Sequence, residues 1–115
     1  MTTIMIIDND CLSNESILSA FEIMEYQVYS AKKLFTSEFE LIKDQIQYLI
    51  VNISILSQQE ISYLKRLKKE LIGLKIIVIS NIFLTEMYQF CAEYLLDHYM
   101  SKPILFSKLL HVITK

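Results

Sequence analysis

Glycine is almost missing from this chain: Gly73 is the single one in 115 residues. The loop after the first apolar run, Asp8 to Ser13, contains none, which argues against a glycine-rich turn that wraps a phosphate in backbone amides. Cysteine is nearly as scarce. Cys11 and Cys91 lie outside any CxxC spacing and away from histidine, which argues against structural zinc, and reduced, partly buried thiols are expected, as suits the cytoplasm. Neither sign of charge dominates, with 11 Lys and Arg against 13 Asp and Glu, so there is no overall electrostatic footprint for nucleic acid or an anionic membrane. No apolar run approaches the ~20 residues of a membrane helix, and no basic segment precedes one at the N-terminus. A soluble, non-exported chain without a membrane span is expected. Linkers, repeats and low-complexity stretches are also lacking, so residues 1–115 are read as one domain, and at 53% hydrophobic it can bury a core without metals or disulfides.

What is present is a set of short, continuous apolar runs, each ending in polar residues. Gln47-Tyr48-Leu49-Ile50-Val51-Asn52 is the central one, rich in β-branched residues, and reads as a strand buried on both faces. Thr2 to Ile7 forms a similar first strand that stops at Asp8-Asn9-Asp10. Ser13 is expected to cap a helix running to about Glu25, with Ile17, Phe21 and Met24 on its apolar face. Tyr26 to Ala31 alternates as an edge strand does, and Phe35, Phe39 and Ile42 mark a short helix starting near Thr36 or Ser37.

After the central strand, Ser57-Gln58-Gln59-Glu60 fits a capping box. The helix it opens carries Ile61, Leu64, Leu67 and Leu71 inward and Lys65, Arg66, Lys68 and Lys69 outward, and Gly73 stands where a left-handed C-cap belongs. The basic cluster has no interleaved aromatics and is read as a solvated face, not a nucleic-acid site. Lys75 to Ile79 is a fourth strand ending at Ser80-Asn81, Phe83 to Tyr94 a fourth helix, Asp97 to Ser101 a fifth strand, and Ile104 to Ile113 a last helix. His98 and His111 carry no metal-ligand spacing and are read as surface or satisfied residues. Strict alternation of five strands and five helices predicts an α/β fold with a doubly wound parallel sheet of order 2-1-3-4-5, the flavodoxin-like arrangement.

In that order the first and third strands meet at the switch point. Asp8, Asn9 and Asn52 then converge at the carboxyl edge, joined by Ser80 and Lys102. The segments Ile6-Ile7-Asp8, Tyr26-Gln27-Val28 before Ala31, Leu49-Ile50-Val51 before Asn52, Ile77-Val78-Ile79-Ser80 and Tyr99-Met100-Ser101-Lys102-Pro103 resemble a response-regulator receiver domain, the CheY-like phosphoacceptor of two-component signalling, over essentially the whole length. The resemblance implies that Asn52 occupies the phosphoacceptor position and that Asp8 and Asn9 occupy the acidic pair that holds Mg²⁺. It further implies that Ser80 contacts the phosphoryl group, that Lys102 pairs with phosphate, that Tyr99 is the aromatic switch, and that Lys102-Pro103 forms a tight, commonly cis, connection.

The departure from that pattern matters as much as the match. Two of the three acids are amides here. An amide oxygen is a weak, uncharged nucleophile, so Asn52 cannot form an acyl phosphate, and with Asp8 as the only matching carboxylate Mg²⁺ binding is expected to be weak or absent. Asp10 is the remaining acid that a metal could recruit. Asp8 and Lys102 balance each other, so a direct ion pair between them is expected, with Asn52 joining Asp8 to Ser80 or Lys102.

The resulting expectation is a phosphorylation-independent pseudo-receiver with no cofactor, not an enzyme. It would stand alone or form the N-terminal part of a regulator whose DNA-binding or other output domain lies beyond Lys115, and would answer to a sensor kinase or another protein partner without touching nucleic acid or membrane itself. The alternatives are a conventional phosphoacceptor using Asp10 or Ser54, or a small enzyme on the same fold. On the fourth helix, Glu86, Gln89 and Glu93 make one narrow polar stripe, and Phe83, Phe90 and Tyr94 flank the buried side. No Lys or Arg occurs between Lys75 and Lys102. An apolar homodimer or partner contact through the fourth helix, fifth strand and fifth helix is therefore expected, centred on Phe83, Phe90 and Tyr94.

Overall fold

The computed structural model describes residues 2–9, 11–80, 86–94, 96–102 and 104–114, the side chains of 11–14, 38 and 86–88 excepted. Five strands, β1 (Thr3–Ile7), β2 (Gln27–Ala31), β3 (Tyr48–Asn52), β4 (Lys75–Ser80) and β5 (His98–Ser101), form one sheet in the order β2-β1-β3-β4-β5. Every pairing is parallel. The intervening helices are α1 (Cys11–Ile23), α2 (Ser37–Ile42), α3 (Gln58–Glu70), α4 (Glu86–Glu93) and α5 (Phe106–Thr114). This is the doubly wound α/β arrangement that strand and helix alternation predicts.

Alternate residues of each central strand point to opposite faces, which explains why continuous apolar runs are required. Met5, Ile7, Leu49, Val51, Ile76 and Val78 belong to a core with Phe39, Leu64, Leu67 and Cys91, under α2, α3 and α4. Ile4, Ile6, Ile50, Ile77 and Ile79 belong to a second core with Ile17, Phe21, Leu109 and Ile113, under α1 and α5. Edge strand β2 is only partly covered.

Local chemistry fixes the starts of two helices. The Thr36 hydroxyl accepts the Phe39 amide to start α2, and the reciprocal box between Ser57 and Glu60 starts α3. Several expectations need correction. Helix α1 begins at Cys11, which puts Ser13 in the first turn and not at the cap. Gly73 has no positive φ, because the chain leaves α3 through Leu71 at φ −112°, ψ 83°. Instead Glu25 takes the left-handed conformation, at φ 66°.

Glu25 closes α1 as a Schellman motif: the Tyr26 amide donates to the Phe21 carbonyl and the Glu25 amide to the Glu22 carbonyl, each at 3.0 Å. The accompanying apolar contact is Phe21 against Tyr26, with ring centroids 5.5 Å apart. That contact and both hydrogen bonds outweigh the penalty of about 1–2 kcal/mol for a non-glycine residue there.

Lys68 is the third correction. It turns inward, not outward, and its ammonium lies 2.9 Å from Asp97 Oδ2 and donates to the Leu74 carbonyl at 2.6 Å. Asp97 also accepts the Ile76 amide at 2.7 Å, so one carboxylate fastens α3 to the starts of β4 and β5. Phe35, one of the three residues that mark α2 in the sequence, lies before the helix, is 55% exposed and meets Tyr63 edge-on. Helix α5 starts at Phe106, two residues later than the sequence pattern suggests, and the expected start of α4 at Phe83 lies outside the described residues.

Candidate functional site

The carboxyl ends of β1, β3 and β4 meet because register aligns them. Ile7 pairs with both Ala31 and Val51, and Asn52 pairs with Ile79, so the next residue of each strand emerges at the same level. The ladder continues one step past the strands, with the Asp8 amide donating to the Ala31 carbonyl at 3.0 Å and the Lys102 amide to the Ser80 carbonyl at 2.7 Å. Asp8, Asn52 and Ser80 are all buried. Buried polar groups must find partners, and these largely find one another.

Asp8 is the centre. Its side chain is 0% exposed, and the ammonium of Lys102, whose side chain is 16% exposed, lies 2.6 Å from Oδ2. Oδ1 accepts the Asn52 amide N–H at 3.0 Å. Asn52 Oδ1 in turn accepts the Ser54 backbone N–H at 3.0 Å, holding the short 3-10 turn Ile53–Ile55 against the strand end. The turn, not Ser80 or Lys102, thus takes the second atom of the Asn52 amide, as a short polar side chain at a strand end favours. The Ser54 and Ser80 hydroxyl oxygens stand 3.4 Å apart.

The remaining sequence candidates fall around this centre or away from it. Asn9 is exposed and lines a cleft instead of joining Asp8. Tyr99 is half-buried and packs against the α2–α3–α4 core. Asp10, Pro103 and Phe83 lie outside the described residues. Phe90 and Tyr94 stack on each other at 4.8 Å and lean on the same core, and Tyr94 also receives a hydrogen bond from Gln58 at 2.8 Å. Part of each ring is therefore used in packing within the chain.

Mg²⁺ asks for hard oxygen ligands in an octahedron, one or two of them carboxylates. The described donor set does not fit it. Asp8 is the one carboxylate directly at the ends of β1, β3 and β4 among the described residues, and its two oxygens are engaged by an ammonium and an amide. No cluster of three His, Cys, Asp or Glu side chains occurs among the described residues. Away from this edge, on the side of Asp97, Cys91 is a free, buried thiol, and burial followed by the charge of Asp97 pushes its pKa up, which favours the protonated form.

Sequence reasoning did not single out the lysines of the β2–α2 loop or the tie between Asn52 and the Ser54 amide. An Asn two residues before Ser at a strand end is a turn signal that points to the latter.

By sequence the chain matches no family model and no curated relative. By structure it is similar to response regulators along nearly its whole length. Against one from Thermotoga maritima the TM-score is 0.84 at 18% identity, over 99% of this chain and 95% of that one. A CheY-like receiver domain protein from Methanospirillum hungatei gives 0.77 at 23%, over 99% and 91%. An orphan response regulator of H. pylori gives 0.81 at 16%, over 98% and 93%. The chain has the receiver-domain fold. No helix among the described residues is long and apolar enough to cross a membrane.

Proposed function

We propose that this domain is a receiver-type signalling module that works without phosphorylation, through contact with a protein partner in a two-component or phosphorelay setting. The observation that carries the reading is Asn52. It sits at the end of the central strand, 2% exposed, with its amide nitrogen donating to Asp8 and its oxygen accepting from Ser54. Aspartyl phosphorylation requires a carboxylate oxygen that can attack phosphorus, whereas this oxygen is neutral and already hydrogen-bonded. Lys102, the cation that would meet an incoming phosphoryl group, is held at 2.6 Å by Asp8. The pocket is electrically balanced by the chain's own residues, and signalling is left to surfaces.

Ser54 does not offer a substitute acceptor, because its hydroxyl contacts the Ser80 hydroxyl and no general base among the described residues. Incubation with radiolabelled acetyl phosphate tests the reading: the wild type should take up no base-labile label. Asn52→Asp together with Asn9→Asp should restore measurable Mg²⁺ affinity by calorimetry. An acid-stable, base-labile adduct on the wild type overturns the proposal.

The partner contact is proposed on the α4–β5–α5 face, through the exposed parts of Phe90 and Tyr94 together with Phe83. It is either a homodimer or an apolar partner surface. A contact of this composition should weaken little with salt. Sedimentation of the wild type against Phe90→Glu tests it, and a wild type that stays monomeric at every concentration, with the variant unfolded, makes Phe90 a core residue only.

A further inference from the structure

Beside the buried pair, the carboxyl edge carries an open cleft of about 470 Å³ lined by Asn9, Lys32, Lys33, Ile55 and Glu60. Its position follows from register. Because Ile7 pairs with Ala31 on one side and Val51 on the other, the residues that follow β1, β2 and β3 come out side by side over the strand ends. Asn9, the two lysines and the turn Ile53–Ile55 therefore share one rim, and the first turn of α3 supplies Glu60. This is the switch point of a doubly wound sheet, where ligands bind in such folds, and the volume falls within the roughly 300–1,000 Å³ of small-molecule sites.

The charge of the rim runs against that of the whole chain, which is −2. Lys32 and Lys33 are both exposed, and neither joins an ion pair among the described residues. Glu60 is the one carboxylate on the rim among the described residues, and its Oε1 is occupied by the Ser57 amide at 3.0 Å in the capping box, at the positive end of a helix dipole. The other cation at this edge, Lys102, is already neutralised by Asp8 at 2.6 Å. Anion attraction at the carboxyl edge is thus displaced from the buried pocket to the β2–α2 rim.

We propose that this cleft binds a small phosphomonoester, its phosphate held by the Lys32 and Lys33 ammonium groups with the Asn9 amide, and its apolar body against Ile55. Two ammonium groups on flexible stems are point charges suited to a dianionic tetrahedral group, while a single carboxylate meets them with half the charge. Ile55, half-buried, gives the ester carbon skeleton an apolar wall. A glycine-rich loop of amides is not needed, because the charge comes from side chains. The inference goes beyond the receiver reading and does not depend on Asn52.

Amide NMR titration of the full chain tests it, with phenyl phosphate, inorganic phosphate and phenol as probes. Phenyl phosphate should give saturable shifts at Asn9, Lys32, Lys33 and Ile55 and bind about tenfold more tightly than either fragment alone. Lys32→Ala with Lys33→Ala should weaken it about tenfold or more, while Lys69→Ala with Lys108→Ala, an equal loss of exposed charge elsewhere, should change it less than about twofold. Unchanged amide positions for Leu49 and Ile77 verify that both double variants keep the fold. Non-saturable shifts, equal weakening by the two double variants, or shifts centred on Ser80 and Lys102 overturn the proposal. So does a phosphoserine peptide that binds where phenyl phosphate does not.

Discussion

The molecule buries two lysine–aspartate pairs at opposite ends of the same sheet, and they are built differently. At the amino end Asp97 holds Lys68 at 2.9 Å, Lys75 at 3.9 Å and the Ile76 amide at 2.7 Å, while Lys68 also reaches the Leu74 carbonyl. That pair is tied into backbone groups and has a spare cation, with both partners modestly exposed at 14% and 18%. At the carboxyl end Asp8 is wholly buried, and its described partners are two side chains, Lys102 and Asn52. The first arrangement fastens structure. The second balances a pocket whose contents can be changed one side chain at a time without breaking a ladder hydrogen bond.

The largest expected effect follows from that asymmetry. Lys102→Met leaves the Asp8 carboxylate buried without its cation and should destabilise the fold by about 3–5 kcal/mol, read from denaturant unfolding. Asn52→Asp sets a second carboxylate beside Asp8, where like charges raise one pKa of the couple. Its cost, on the order of 2 kcal/mol at neutral pH, should disappear as pH falls, because the folded state then holds the extra proton more tightly than the unfolded chain. Lys68→Met should cost less than Lys102→Met, about 1–3 kcal/mol, since Asp97 keeps Lys75, the Ile76 amide and some solvent. Equal losses from Lys68→Met and Lys102→Met would erase the distinction between the two ends.

Smaller effects sharpen the baseline. Glu25→Gly should stabilise the chain by about 0.5–1 kcal/mol, the left-handed penalty less the added freedom of the unfolded chain. Above the ordinary thiol value of 9.0, stability should decline slightly, because burial raises the Cys91 pKa and the fold favours the protonated form. A Cys91→Ser or Cys91→Ala variant should lose that alkaline slope.

The same two ends show what was legible in the sequence. The strands were readable because burial on both faces demands continuous runs such as Leu49-Ile50-Val51, and order 2-1-3-4-5 follows from alternation and handedness. The Asp8–Lys102 pair was readable because Asp8 and Lys102 stand at strand ends that the order brings together. The Asp97–Lys68 pair was not, since nothing in a basic stretch on a helix says which lysine turns inward until β4 and β5 are placed beside it. Glu25 and Gly73 mislead for a related reason: propensity assigns the left-handed position to glycine, while the Phe21–Tyr26 contact fixes it elsewhere. Lys32 and Lys33 were silent because a cleft is a property of three loops at once.

The central claim is that the Asp8–Asn52–Lys102 cluster is closed to phosphorylation chemistry, and the amide spectrum of the wild-type domain tests it most directly. With acetyl phosphate and millimolar Mg²⁺ added together, the resonances of Asp8, Asn52, Ser54, Ser80 and Lys102 should stay where they are, whatever occurs at the Lys32–Lys33 rim. Coordinated shifts of those five residues, spreading to Tyr99 and growing with time, would contradict the account.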